Sequence, residues 1–126
     1  MTEFSITLAN RPGQLATLAR RLADAGVNIE TLAAMAIDGE SLLRFMVDDD
    51  EAARHVLQDA GVRFQERPVL DTFLPNRPGS LASVTEDLAA AGINIDTIYL
   101  LHSSAEGLHL AMTVDDAEAA RSRLAS

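Results

Sequence analysis

The residues Asn-Arg-Pro-Gly occur twice in the chain, at positions 10–13 and 76–79. An amphipathic segment follows each copy, and Asn28 or Asn94 comes directly after the end of that segment. A helix N-terminus offers free backbone N–H groups and the positive end of the helix dipole to a carboxylate. The asparagine amides add hydrogen-bond donors and acceptors, and glycine lets a small molecule reach the backbone. This combination suits a zwitterionic α-amino acid.

Each asparagine also has an ordinary structural explanation, because Asn before Pro-Gly is common in turns and Asn after Gly commonly marks a helix exit. The recurrence of both asparagines at the same separation favours a ligand. The candidate ligand-binding residues are Asn10, Arg11, Pro12, Gly13, Leu15, Asn28 and Ile29 in the first copy, and Asn76, Arg77, Pro78, Gly79, Leu81, Asn94 and Ile95 in the second. The two arginines either contact the carboxylate or are simply solvated.

Both motifs belong to an internal repeat. Residues 8–35 match residues 74–101 at an offset of 66, and residues 47–54 match residues 114–121 at an offset of 67. One extra residue therefore lies between the matched blocks of the second copy, most simply in a hairpin turn. The sequence predicts two domains, residues 1–67 and residues 68–126, with Arg67-Pro68 as a short boundary.

The first copy has the pattern of strand, helix, strand, strand, helix, strand. Phe4, Ile6 and Leu8 alternate with polar residues, which predicts a strand with one buried face. The remaining signals are a helical stripe from Leu15 to Leu22 that Gly26 ends, strands at 27–37 and 43–47 around a turn at Asp38-Gly39, a helix from about Asp48, and a strand at 62–66. This order predicts a ferredoxin-like βαββαβ unit, an antiparallel sheet with both helices on one face.

The second copy repeats this order without its last strand. Its signals are a strand at about 69–74, a helical stripe from Leu81 to Leu88 that Gly92 ends, strands at 93–102 and 110–114 around a turn at Glu106-Gly107, and a helix from about Asp115. The fold class is therefore α+β, with two ferredoxin-like repeats. The missing strand leaves an open sheet edge, which we expect the first repeat or a second copy of the chain to cover, and a homodimer is the expected assembly. Phe73, directed away from the helices, adds an apolar contact surface.

Composition excludes several chemistries. The chain of 126 residues has 10 basic residues, all of them arginine, and 19 acidic residues, which gives a net charge of −9. Without lysine there is no Schiff-base enzyme and no P-loop, and without cysteine there is no thiol nucleophile and no thiolate metal site. The acidic balance disfavours nucleic acid and anionic membranes as partners. The absence of a signal sequence and of a long apolar run predicts a cytoplasmic protein.

Two clusters of polar residues are further candidates for metal binding. Residues 48–51, Asp-Asp-Asp-Glu, resemble a metal cluster, but helix capping explains them and their counterparts better. His102 and His109 flank the second hairpin, where Glu106 is the nearest third ligand, and we interpret this set as surface polarity. No nucleophile, base and orienting group fall together, so we predict no enzyme, no cofactor and no metal site.

The run Asn-Arg-Pro-Gly-x-Leu-Ala, a helix, and then Ala-Gly-x-Asn-Ile resembles the ACT domain, a small regulatory ligand-binding module of amino-acid metabolism, and especially the serine-sensing domain of phosphoglycerate dehydrogenase. The resemblance implies that Asn10 and Asn76 hold an effector together with Asn28 and Asn94 across an interface between domains. If the two repeats pair side by side, one site combines Asn10 and Gly13 with Asn94, and the other combines Asn76 and Gly79 with Asn28. Leu8 and Leu74 replace the histidine of the serine sensor, so serine is only one candidate ligand.

The leading hypothesis is an amino-acid-binding sensor or regulatory protein, with a small amino acid bound at the interface between repeats. The alternative is a regulatory subunit or assembly module that controls a partner enzyme of amino-acid metabolism without a ligand. A small enzyme with a ferredoxin-like fold is a weaker third possibility.

Overall fold

A computed structural model describes residues 1–124. The chain divides at Arg67-Pro68 into two compact units. Within the described range, no helix has both the length and the apolar character that a membrane crossing requires.

The first unit contains six elements and the second contains five. The elements of the first unit are β1 (Thr2–Ala9), α1 (Gln14–Asp24), β2 (Ile29–Ile37), β3 (Glu40–Val47), α2 (Asp50–Asp59) and β4 (Phe64–Pro68). The elements of the second unit are β5 (Leu70–Leu74), α3 (Ser80–Ala90), β6 (Ile95–Ser104), β7 (Gly107–Val114) and α4 (Ala117–Leu124). The order confirms two α+β repeats of the ferredoxin-like type, and among residues 1–124 the second repeat has no fourth strand.

The sheet of the first unit has the strand order β2-β3-β1-β4. Phe4 pairs with Phe45 and Ile6 with Leu43 in the antiparallel β1–β3 ladder, so these side chains share one face of the sheet. Both helices bury their apolar stripes against this face, since Leu22 of α1 and the α2 leucine are fully buried in the same cluster. The core therefore lies between one face of the sheet and two helices, as the sequence predicts.

The sheet of the second unit has the order β5-β7-β6, so β5 and β6 are its edges. Leu70 of β5 pairs with Met112 of β7, and both pack with Leu88 of α3 and Ala120 of α4. Phe73 lies on the opposite face of β5, where it is 73% exposed. This confirms that it points away from the helices.

The ends of the first helices of both repeats follow the predicted glycine pattern. Gly26 has φ 76° and Gly92 has φ 73°, a left-handed conformation that glycine adopts without steric cost. The Val27 N–H then donates to the Leu22 carbonyl oxygen at 2.9 Å, which closes the helix end and delays the start of β2 until Ile29. Asn28 and Asn94 therefore lie directly before the strand that follows each helix.

The prediction that the extra residue of the second repeat lies in a hairpin turn is wrong. Both hairpins have two turn residues, because Ile37 pairs with Glu40 and Ser104 pairs with Gly107. The ladder of β6 and β7 instead skips Leu101, so the extra residue forms a β-bulge inside β6. The predicted Glu106-Gly107 turn is also displaced by one position, since Gly107 already begins β7.

An ion pair connects the last strand of the first repeat to its second helix. The Arg54 guanidinium donates to both carboxylate oxygens of Glu66, with Nη2 2.6 Å from Oε1 and Nε 2.9 Å from Oε2. This hydrogen bonding lowers the pKa of Glu66 below its ordinary value of 4.5. Ionised Glu66 therefore stabilises the fold above pH 4.5, and the contribution is lost as the pH falls through the lowered pKa.

We expect Glu66→Gln to reduce the free energy of unfolding slightly at neutral pH, by an amount typical of a half-exposed ion pair. The difference between variant and parent should vanish below the lowered pKa of Glu66, because the parent carboxyl is then protonated as well. Urea denaturation at a series of pH values measures this difference. Glu30→Gln removes an exposed carboxylate of β2 that has no hydrogen bond or ion pair to the described residues, and it serves as the control. A difference that persists at the acid end would contradict the assignment.

Candidate functional site

The first candidate loop joins β1 to α1. Gly13 is the N-cap of α1 and has φ 90° and ψ −13°, a backbone conformation that is strained for any residue with a side chain. The Gln14 N–H donates to the Arg11 carbonyl oxygen at 3.3 Å. The N–H and the hydroxyl of Thr17 both donate to the Gly13 carbonyl oxygen at 2.9 Å. These bonds hold the loop in one conformation directly above the helix start.

The helix start has unused backbone donors. Glycine at the N-cap offers no side-chain acceptor, and within residues 1–124 the N–H groups of Leu15 and Ala16 have no acceptor. The second repeat reproduces this arrangement, with Gly79 at φ 92° and with the N–H groups of Leu81 and Ala82 likewise without an acceptor in the described chain. Each loop therefore presents two N–H groups and a helix dipole to an anion.

The two asparagines of these loops differ in their hydrogen bonding. The backbone N–H of Asn10 donates to the Gly39 carbonyl oxygen at 3.1 Å, but its exposed side chain has no hydrogen bond to any part of the chain that the structure describes. The side-chain amide of Asn76 donates to the Ser104 carbonyl oxygen at 2.8 Å. Both polar groups of the Asn10 amide are therefore available to a ligand, whereas one of the two N–H donors of the Asn76 amide is already used.

Asn28 and Asn94 are held by an aspartate that the sequence analysis assigned to helix capping. The Asp48 carboxylate accepts from the Asn28 backbone N–H at 2.9 Å, and the Asp48 N–H donates back to the Asn28 carbonyl oxygen at 3.1 Å. Asp115 forms the same two bonds with Asn94, at 3.0 and 3.1 Å. The repeated Val-Asp-Asp was the available signal for this role. These bonds orient each asparagine at the entry to its strand.

The next aspartate in each repeat caps the second helix. The Asp49 carboxylate accepts from the Ala52 N–H at 3.1 Å, and the Asp116 carboxylate accepts from the Ala119 N–H at 3.0 Å. The interpretation of the acidic run as a helix start is confirmed for these two residues. No three His, Cys, Asp or Glu side chains within residues 1–124 form a group that could hold a metal ion.

The apolar residues of the two motifs separate into two environments. Ile29 and Ile95 are partly buried and pack against the cores of their units. Leu15 and Leu81 are 38% and 49% exposed, and their predicted place in the buried helical stripe is wrong. They lie in the first turn beside the free N–H groups, together with the exposed Pro12 and Pro78.

The two motifs of one repeat lie at opposite ends of a helix. Asn10 precedes α1 and Asn28 follows it, and an 11-residue helix is about 16 Å long. A single small molecule therefore contacts only one of the two motifs within a repeat.

A hollow of about 530 Å³ adjoins the second loop. Arg77, Pro78 and Gly79 form its wall on the loop side. Arg123 forms another part of its wall, where Nε lies 3.3 Å from Oδ1 of Asp87. The exposed Arg77 side chain has no hydrogen bond or ion pair to the described residues, so its guanidinium is accessible from the hollow.

The two histidines of the second hairpin lie close together, and one of them is paired with other groups. His102 and His109 lie directly opposite each other in the β6–β7 ladder. Nε2 of His109 lies 3.0 Å from the Asp71 carboxylate, and its ring stacks on Phe73 with the ring centroids 4.2 Å apart. Glu106 does not join them in a metal site.

Each unit is thus a ferredoxin-like domain in which a glycine-capped loop leads into the first helix. Residues 2–60, which make up most of the first repeat, match the model of the ACT domain family. A comparison with curated protein sequences gave no match.

Solved structures share the fold over nearly the whole chain. Protein BT0572 from Bacteroides thetaiotaomicron superposes with a TM-score of 0.87 at 25% identity, over 98% of this chain and 85% of that one. The regulatory subunits of aspartate kinase from Thermus thermophilus and Thermus flavus have TM-scores of 0.69 and 0.66 at 20% and 21% identity. Each of these two superpositions covers 98% of this chain. They cover 87% of the Thermus thermophilus subunit and 88% of the Thermus flavus subunit. The tandem architecture therefore occurs in other proteins.

Proposed function

We propose that this protein is an amino-acid-binding regulatory protein, without catalytic activity of its own, that acts on a partner enzyme. The ligand is a free α-amino acid, and its carboxylate binds the backbone N–H groups at the start of α1 or α3. The family assignment of the first repeat supports a regulatory role. Two of the similar structures are regulatory subunits of aspartate kinase, which supports a partner enzyme.

One observation carries the proposal: within residues 1–124, each repeat has two N–H groups without an acceptor at the start of a helix, and an exposed asparagine three residues before the glycine N-cap. Two N–H groups and a helix dipole match a carboxylate, and the asparagine amide oxygen matches an ammonium group.

The position of the two motifs adds a requirement. Since Asn10 and Asn28 lie at opposite ends of α1, a ligand held by both kinds of motif takes the second asparagine from another repeat. Asn28 and Asn94 are suited to this role because Asp48 and Asp115 fix their backbones. Binding would then stiffen an assembly of repeats and shift it towards the form that contacts the partner.

A thermal-shift screen of the twenty amino acids tests the proposal. A specific ligand at 100 times its Kd adds about 2.7 kcal/mol of stability, which raises the melting temperature measurably. The D-enantiomer and the carboxamide of the same amino acid are the controls, and the carboxamide should bind much less because it lacks the carboxylate. If no amino acid raises the melting temperature, or if the carboxamide binds equally well, the proposal is wrong.

The second candidate function is regulation by contact alone, without a ligand. Exposed apolar side chains on the edge strands favour it, since Leu32, Met35 and Ile37 of β2 and Ile98 and Leu100 of β6 are between 42% and 58% exposed. Apolar edge strands tend to pair with other strands. This candidate is supported if the chain binds and regulates its partner equally well in the absence and in the presence of each amino acid.

A further inference from the structure

The turn between β2 and β3 consists of Asp38 and Gly39, since Ile37 pairs with Glu40. Both turn residues have a positive φ, 49° for Asp38 and 79° for Gly39, as in a type I′ hairpin turn. Within residues 1–124, Asp38 is the one residue other than glycine with a positive φ. Asp-Gly is a preferred sequence for this turn, because the short aspartate side chain tolerates the left-handed conformation and glycine has no β-carbon.

The same two residues place an electrophile beside a nucleophile. A bond between the Asp38 side-chain carboxyl carbon and the Gly39 backbone nitrogen closes a five-membered succinimide ring. Glycine hinders this ring closure least, because it has no side chain beside the attacking nitrogen. The sequence contains one Asp-Gly pair, at 38–39, and no Asn-Gly pair. This chemistry is therefore favoured at a single position of the chain.

The structure leaves both reacting groups accessible. Asp38 and Gly39 are exposed, and the Asp38 side chain has no hydrogen bond or ion pair to the part of the chain that the structure describes. The Gly39 N–H has no acceptor within residues 1–124. A β-carbon added to Gly39 would meet no atom within 4 Å, so the described residues do not pack against this side of the turn. The turn is restrained by the strand ladder at its ends and not by packing around Gly39.

The turn also supports the first candidate loop. The Asn10 N–H donates to the Gly39 carbonyl oxygen at 3.1 Å, directly after the end of the β1–β3 ladder. A rearrangement of the backbone between Asp38 and Gly39 moves this acceptor. The corresponding turn of the second repeat consists of Ala105 and Glu106, so the second loop does not adjoin an Asp-Gly pair.

We propose that Asp38-Gly39 is a site of spontaneous isomerisation that releases the first candidate loop from its hairpin. The Gly39 nitrogen attacks the protonated Asp38 carboxyl group, the new C–N bond closes the succinimide, and one carboxyl oxygen leaves as water with the amide and carboxyl protons. A solvent water then adds to the former peptide carbonyl and breaks its bond to the Gly39 nitrogen. The product is isoaspartate, in which the chain runs through the side-chain carbonyl, and no atom is gained or lost overall.

The product does not fit the turn that formed it. Isoaspartate lengthens the backbone by one methylene group, whereas the pairing of Ile37 with Glu40 allows two ordinary residues between the strands. We therefore expect the Gly39 carbonyl to move away from the Asn10 N–H. This inference concerns the conformation of the loop and does not depend on the binding of an amino acid.

Ageing of the folded full chain in neutral buffer at physiological temperature tests the chemistry. Samples taken over several weeks are digested, and electron-transfer fragmentation of the peptides distinguishes isoaspartate from aspartate. We expect isoaspartate to accumulate about tenfold faster at Asp38 than at Asp24, which is also exposed but precedes an alanine whose methyl group hinders attack. Asp38→Glu should abolish the product, because its longer side chain would have to close a six-membered ring. Asp38→Asn should form the same product faster, with loss of ammonia instead of water.

Amide hydrogen exchange, followed by NMR on the separated isoaspartate form, tests the effect on the loop. The Asn10 N–H should exchange about tenfold faster than in the unaged chain, as expected for the loss of one hydrogen bond. The Val27 N–H, which donates to the Leu22 carbonyl oxygen at the far end of α1, is the control and should exchange at an unchanged rate. Aged Asp38→Glu should keep the exchange rate of Asn10 that it has before ageing.

Two results would overturn the proposal. In the first, Asp38 isomerises no faster than Asp24 in the folded chain although a free peptide of residues 34–44 isomerises readily, which would mean that the turn prevents ring closure. In the second, isoaspartate forms at position 38 and the exchange of the Asn10 N–H does not change, which would mean that the turn does not hold the loop. A negative amino-acid screen affects neither measurement.

Discussion

Asn10→Ala is expected to weaken amino-acid binding by about tenfold or more, because it removes hydrogen bonds to a charged ligand. The free energy of unfolding without ligand should change little, since the Asn10 side chain is exposed and has no hydrogen bond within residues 1–124. Isothermal titration with the amino acid found in the screen measures the affinity, and urea denaturation measures the stability.

Gln65→Ala is the matched control, because it removes an exposed amide of β4 and touches neither loop. Asn94→Ala, alone and combined with Asn10→Ala, shows whether the two asparagines act on one ligand. Non-additive losses of affinity indicate a shared ligand, whereas independent sites give additive losses. If Asn10→Ala leaves the affinity for the amino acid unchanged, the loop is not part of the binding site.

Phe4→Ala should cost about 3 to 5 kcal/mol of unfolding free energy, the range for deleting a fully buried aromatic ring. The Phe4 ring is 0% exposed and stacks on Phe45 with the ring centroids 5.6 Å apart. Its loss leaves a cavity at the centre of the first core. Circular dichroism during urea denaturation measures the loss, and the fluorescence of Tyr99, the single tyrosine, separately follows the second unit.

Phe73→Ala is the control for this prediction. Its ring is 73% exposed and stacks only on His109, so we expect a loss below about 1 kcal/mol. Equal losses in the two variants would mean that the first core is not organised around Phe4.

The repeat and its apolar periodicity predicted the fold because each pattern has a direct geometric meaning. Alternation of Phe4, Ile6 and Leu8 with polar residues is typical of a strand with one buried face, and Gly26 marks a helix end. The position of the extra residue was not predictable in this way. The two repeats share no residue identities around Leu101, so a bulge and a longer turn give the same alignment offset. Only the strand register distinguishes them.

The site was predictable as a pair of motifs but not as a set of contacts. The sequence identified Gly13 and Gly79, and the structure shows both in the left-handed conformation. The role of Asp48 could not be found, because an aspartate before a helix can cap that helix or bind elsewhere. Its partner, Asn28, is 20 residues away in sequence. The ligand-binding roles of the asparagines remain predictions.

The unequal hydrogen bonding of Asn10 and Asn76 has a consequence for the proposed binding of an amino acid. The two repeated loops do not offer a ligand the same set of groups, because the Ser104 carbonyl already accepts one N–H of the Asn76 amide. A protein with one strong and one weak binding site responds over a wider range of ligand concentration than a protein with two identical sites. Such a protein would report gradual changes in supply rather than a single threshold.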